Sequence, residues 1–134
     1  MGVVQVGQEL AVLIVEDQAF IAADLEEVAR ELGATLVGSA AHLATALALL
    51  ETAHWDAVML DLHLANGVLA YPLAERLRNR RIPFAFLTAA DNEIEPAYRS
   101  VRVLRKPFGE AELEECLRAL IAQVPQPAVA QQAA

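Results

Sequence analysis

Cysteine is almost missing from this chain: Cys116 is the single one in 134 residues, which rules out an internal disulfide framework. Leu113, Leu117 and Leu120 surround it at helical spacing, so it reads as a buried, inert thiol rather than a nucleophile. No apolar run approaches the ~18 residues needed to cross a bilayer, and the N-terminus lacks the basic start and long apolar core of a signal peptide. A soluble, cytoplasmic protein is expected. Positive charge is also scarce, with 10 Lys and Arg against 18 Asp and Glu and a formal net charge of −8. That balance excludes sequence-independent binding of nucleic acid, which needs a clustered positive surface. The one basic cluster, Arg76, Arg78, Arg80 and Arg81, falls on the polar face and end of a helical pattern, where cations complement the helix dipole. What the chain has in quantity is apolar residue, 56% of the total, at a length that suits one compact domain and not two.

The apolar pattern changes period repeatedly along the chain, the sign of a parallel sheet wrapped by helices. Ala11 to Val15 is a continuous apolar run, as a strand buried on both faces requires, and it stops at Glu16 and Asp17. Ile21, Leu25, Val28 and Leu32 then form one helical stripe, with Gly33 placed to end it. Leu36 and Val37 lie in a second strand, and Leu43, Leu47 and Leu50 mark an alanine-rich second helix. Ala57 to Leu60 forms a third strand closing on Asp61, followed by a loop with the turn pair Asn66-Gly67. Leu69, Leu73 and Leu77 supply the stripe of a third helix, with Pro72 near its start. Phe84 to Leu87 is a fourth strand closing on Thr88. From Asp91 to Ser100, Pro96 interrupts a weak helical face, so a short or irregular helix is expected there. Val101 to Leu104 makes a fifth strand ending at Lys106 and Pro107, and Leu113, Leu117, Leu120, Ile121 and Val124 give a final helix. The expected organisation is an N-terminal extension over 1–9, the domain over 10–124 and a disordered tail over 125–134, with no room for an output domain.

In an open parallel sheet the ligand site lies beyond the carboxyl ends of the strands. Glu16 and Asp17, Asp61, Thr88 and Lys106 end four different strands and should converge on one crevice. Three carboxylates brought together repel, by about 4 kcal/mol per pair at 4 Å and an effective dielectric of about 20. A hard divalent cation such as Mg²⁺ relieves this, and Lys106 offers a second positive charge. With the Thr88 hydroxyl as a donor, the set suits phosphoryl transfer onto Asp61. His63 follows Asp61 in a loop with no partner visible in sequence and is assigned a surface or gating role, while His42 and His54 carry no functional assignment.

At this point the chain resembles the response-regulator receiver domains of two-component signalling over nearly all of Leu10 to Val124. The residues that carry the resemblance are the acidic pair Glu16-Asp17, Asp61 within Val-Met-Leu-Asp-Leu, Thr88, and Lys106-Pro107-Phe108. The resemblance implies a flavodoxin-like, doubly wound, five-stranded parallel sheet of order 2-1-3-4-5 with helices on both faces. It further implies Asp61 as phospho-acceptor, with Thr88 and Lys106 completing the catalytic set. Mg²⁺ would be held by Asp17, Asp61, Glu16 partly through water, and the backbone carbonyl of His63. A sensor histidine kinase or phosphotransfer protein would be the donor. The protein would catalyse only its own phosphorylation and dephosphorylation, and would act as a phosphate sink or signal by protein contact around Tyr98, the final helix and the fourth- and fifth-strand side, where a homodimer would also form. Neither nucleic acid nor membrane is an implied partner.

Asn66-Gly67, Tyr71-Pro72, Ile82-Pro83-Phe84 and Phe86-Leu87-Thr88 further resemble the branch of single-domain receivers nicknamed FATGUY, common in alphaproteobacteria. Two departures stand out. Ala89 and Ala90 replace the glycine that follows the branch's threonine, removing its backbone freedom. Val103 stands where ordinary receivers carry an aromatic switch residue, so a Tyr-Thr switching scheme does not carry over. Three other classes are weighed. A pseudo-receiver, an interaction module that is not phosphorylated, is opposed by the presence of all five site residues. A cobalamin-binding domain is suggested by Asp61-Leu62-His63, but the glycine of that motif falls one place late. A phosphatase with an aspartyl-phosphate intermediate usually places a second aspartate two residues after the nucleophile, where this chain has His63, and encloses its substrate with a cap.

Overall fold

The computed structural model describes residues 9–124. The expected tail over 125–134 and the extension up to residue 8 lie outside the described residues. Five strands, β1 (Ala11–Val15), β2 (Leu36–Ala40), β3 (Ala57–Asp61), β4 (Phe84–Thr88) and β5 (Arg102–Arg105), form one parallel sheet of order β2-β1-β3-β4-β5. α1 (Ala19–Glu31), α2 (Leu43–Leu50) and α3 (Tyr71–Asn79) connect the first four strands, and α4 (Glu110–Ile121) follows β5. This is the flavodoxin-like topology the sequence predicts, with the order reversing between β1 and β3.

Strand alternation divides the core in two. Leu13, Val15, Val58, Leu60 and Phe86 point to the face covered by α2 and α3, while Val12, Ile14, Met59, Ala85 and Leu87 point to the face covered by α1 and α4. Because both faces are covered, β1, β3 and β4 are buried at every position, and their sequences read as unbroken apolar runs rather than alternating ones. Cys116 is buried against α4's other apolar residues, as expected. Gly33 ends α1 in the left-handed region at φ 107°, and Asn66 and Gly67 turn the chain after β3 with φ 64° and 72°. Gly38 has a different reason: a Cβ there would sit 2.5 Å from the Trp55 ring. The indole is buried on that side, donating from Nε1 to the Leu49 carbonyl at 2.8 Å.

The segment between β4 and β5 carries no α-helix but two single 3₁₀ turns, Asp91–Glu93 and Pro96–Tyr98, so Pro96 opens a turn instead of breaking a helix. Three expectations need correction. Leu69 lies outside α3, exposed in an isolated bridge with His63, and the buried stripe of α3 is Leu73, Ala74 and Leu77. Tyr98 is not a surface residue. Its ring is 8% exposed, 5.1 Å from that of Tyr71 and 5.9 Å from that of Phe86, with the Arg78 guanidinium 3.9 Å above it. The arginine cluster is more than a solvated helix end, since Arg76 and Arg80 both pair with Glu51 beyond the end of α2.

Candidate functional site

The parallel sheet sends the carboxyl ends of β1, β3, β4 and β5 to one edge, and the polar residues there meet. Glu16 follows β1 directly and is fixed by its own backbone, its N–H donating to the Ala40 carbonyl at 3.0 Å. Its Oε2 accepts from the Gln18 N–H at 3.0 Å. Asp61, the last residue of β3, accepts from the His63 N–H at Oδ1 (3.0 Å) and from Lys106 Nζ at Oδ2 (3.1 Å). The Lys106 N–H donates to the Thr88 carbonyl at 2.9 Å, tying the end of β5 to the end of β4. The Lys106-Pro107 peptide is cis. Thr88 Oγ1 accepts from the Ala90 N–H at 3.0 Å. Glu16, Asp61 and Thr88 are the buried polar side chains among the described residues, at 2%, 3% and 1% exposure, and Asp17 is half-buried beside them.

One oxygen each from Glu16, Asp17 and Asp61 lie within 4.8 Å of one another. At that separation each charged pair repels by about 3 kcal/mol at an effective dielectric of about 20. Burial pushes the Glu16 carboxyl up to about 7, and the Asp61 charge adds to it, against the pull of Lys106 and the Gln18 N–H. Burial alone would lower Lys106, but Glu16 and Asp61 outweigh it and hold the ammonium above its usual range, so Lys106 stays charged at neutral pH. Lys106 Nζ is 2.9 Å from Glu16 Oε1, yet the geometry is not that of a hydrogen bond, and Glu16 Oε1 is buried without a hydrogen-bond partner. A clustered all-oxygen donor set with one such atom fits a hard divalent cation of the Mg²⁺ type.

His63 has neighbours that the sequence gave no sign of. Its Nδ1 is 3.4 Å from Thr88 Oγ1 and its Nε2 is 3.7 Å from Glu93 Oε1, so it bridges the end of β4 and the turn beyond. Glu93 lies on an irregular segment with no periodic signal, which is why spacing could not find it. The bonds that close the His63 loop, Leu64 N–H to Val68 carbonyl at 2.8 Å and Ala70 N–H to Leu62 carbonyl at 3.0 Å, flank His63 and leave its own carbonyl out of the ladder. All five strand-end residues predicted from sequence are therefore brought together, with His63 at their margin.

A 2-1-3-4-5 parallel sheet with acid groups, a hydroxyl and a lysine at its carboxyl ends defines a flavodoxin-like domain with its candidate site at the switch point between β1 and β3. The sequence matches the response regulator receiver domain over residues 12–118, and the chain belongs to that family. Solved structures agree. SdrG from Sphingomonas melonis Fr1 is 38% identical with a TM-score of 0.73, over 84% of this chain and 97% of that one. A BeF3-activated conformation of SdrG matches at 39% identity over 83% of this chain and 95% of that one, with a TM-score of 0.70. PhyR from Brucella abortus is 27% identical over 98% of this chain and 54% of that longer one, with a TM-score of 0.74. No curated protein matches the chain. No described helix is long and apolar enough to cross a membrane.

Proposed function

We propose that the receiver domain takes a phosphoryl group onto Asp61 from a phosphohistidine on a sensor histidine kinase or phosphotransfer protein. The reading rests above all on Asp61 Oδ2, which Lys106 Nζ holds at 3.1 Å within a crevice of three carboxylates. An Asp61 oxygen attacks phosphorus, the N–P bond breaks, and the imidazole leaves with its electron pair and takes a proton. Glu16, Asp17, Asp61 and the His63 carbonyl would hold Mg²⁺, which supplies charge neutralisation for the phosphoryl oxygens. Lys106 then pairs with one phosphoryl oxygen, and the Thr88 hydroxyl, now accepting from Ala90, turns to donate to another. Water later hydrolyses the acyl phosphate in the same crevice. Output leaves by protein contact on the β4 and β5 side, or the domain drains phosphate from its donor. A cytoplasmic location follows from such a donor. The likeness of Tyr71-Pro72 and Phe86-Leu87-Thr88 to the FATGUY branch supports placing the protein there.

Intact-mass analysis after incubation with Mg²⁺ and acetyl phosphate tests this. One labile phosphoryl adduct is expected on the wild type and none on Asp61→Asn. No adduct on the wild type, where Mg²⁺ binding is shown independently, would make the domain an interaction module that works unphosphorylated.

A further inference from the structure

A sizeable concavity among the described residues lies away from the carboxylates. A groove of about 730 Å³ opens at the other end of the sheet, where β4 and β5 begin. With a rise of about 3.3 Å per residue along β4, it lies roughly 13 Å from Thr88. Ile82, Pro83 and Val103, all half-buried, line it, and Arg78, Arg81 and Arg102 stand around it, all exposed. A chain of net charge −8 thus places three of its 10 basic residues around one groove.

None of these three arginines pairs with a carboxylate among the described residues. Arg78 donates to the Ala97 carbonyl at 2.6 Å and covers the Tyr98 ring, so its charge too meets no carboxylate. Arg81 occupies the left-handed region at φ 59°, the position after a helix where glycine is favoured and where α1 has Gly33. Residues 1–8 and 125–134 contain no acidic side chain that could pair with these arginines. Among the described residues β5 is the last strand of the sheet and pairs with β4 alone, so there its outer edge offers backbone groups beside Arg102.

We propose that this groove docks an extended acidic segment of a partner protein. Carboxylates separated by apolar residues would pair with Arg81 and Arg102, the apolar residues would lie on Ile82, Pro83 and Val103, and the segment's backbone would add to the β5 edge. The apolar floor and open strand edge favour a peptide over a bare anion or a nucleic acid. Because Arg78 also holds the Ala97 carbonyl and covers Tyr98, a segment that recruits it loosens the irregular stretch before β5, linking the groove to the segment that carries Glu93. This does not depend on phosphorylation of Asp61.

The test is fluorescence anisotropy with a labelled peptide of alternating glutamate and leucine, run beside its glutamine counterpart on the whole protein. The glutamate peptide is expected to bind at least about tenfold more tightly, with the difference shrinking in high salt. Arg81→Gly, which suits the backbone there, and Arg102→Gln should each weaken it severalfold while acetyl phosphate labelling stays unchanged. Equal binding of the two peptides, or unaltered binding by both variants, would overturn the proposal. An oligouridylate that displaces the peptide would overturn it in favour of nucleic acid. Self-association that Arg102→Glu abolishes would overturn it in favour of a second copy of the chain.

Discussion

Replacing Gly38 by alanine adds one methyl group at the place where β2 passes over the indole of Trp55. The new Cβ would be 2.5 Å from Trp55 Cη2 and 3.2 Å from Leu13 Cδ1, and neither neighbour can give easily. Leu13 is fully buried in β1, opposite Gly38 in the ladder, and Trp55 is 3% exposed and tethered through Nε1 to the Leu49 carbonyl at 2.8 Å. Overpacking of this kind costs about 1–3 kcal/mol. The lower chain entropy of alanine in the unfolded state returns about 0.5–1 kcal/mol. A net loss of about 1–2 kcal/mol follows, which at a urea dependence near 1–1.5 kcal/mol per molar lowers the unfolding midpoint by about 1 M. Trp55 is the only tryptophan, so its fluorescence reports the transition and also the local displacement. Gly109→Ala, whose Cβ would meet nothing closer than Glu112 Oε1 at 3.6 Å, serves as the open-space control and should lose only what a poorer N-cap on α4 costs, with no change in Trp55 emission of the native protein. In the background of Trp55→Phe, which lacks the Cη2 atom, the Gly38→Ala penalty measured by circular dichroism should fall by half or more. A Gly38→Ala protein that unfolds with the wild type would refute the close-approach account of this glycine.

Cys116 should resist thiol reagents in the native protein, because burial pushes its thiol up to about 11 and outweighs the Arg102 charge; rapid labelling at pH 8 without unfolding would contradict this. The same shift, from 9.0 in the open chain, leaves its contribution to stability intact below pH 9 and removes it as pH rises towards 11, seen as a falling denaturation midpoint that Cys116→Ser partly flattens. Arg81→Gly should raise stability by about 1 kcal/mol by relieving a left-handed non-glycine residue, read as a higher urea midpoint. Tyr71→Phe removes the hydroxyl that accepts from the Glu95 N–H at 2.9 Å and should cost about 0.5–1.5 kcal/mol, with faster amide exchange concentrated between residues 91 and 98.

The parts of the fold that sequence could supply are those written in a local period. β1, β3 and β4 are buried on both faces, so each appears as an apolar run with a polar residue at its end, and the candidate site apart from Lys106 could be assembled from those ends. The family resemblance added the strand order and the roles of the residues. What stayed hidden depends on contacts between distant segments. Leu69 has the right spacing for α3, but its bridge to His63 holds it outside the helix. Tyr98 sits in a stretch whose weak helical face Pro96 interrupts, and only the Arg78 cover and the Tyr71 and Phe86 rings decide that it is inside. The clash that dictates Gly38, and the two neighbours of His63, likewise join residues far apart in the chain.

Asp61 hangs from β3, the middle strand of five, whose ladders run to β1 on one side and β4 on the other. Opening that strand to solvent requires breaking both neighbours, so the placement of Asp61 is lost only when the whole domain unfolds. Residues 89 to 101 are held differently, by single turns, a few side-chain bonds and the packing of Ile94 and Tyr98, so they can open locally while the ladders of the sheet stay intact. One wall of the crevice therefore has the lifetime of the folded protein, and the other has the lifetime of a loop.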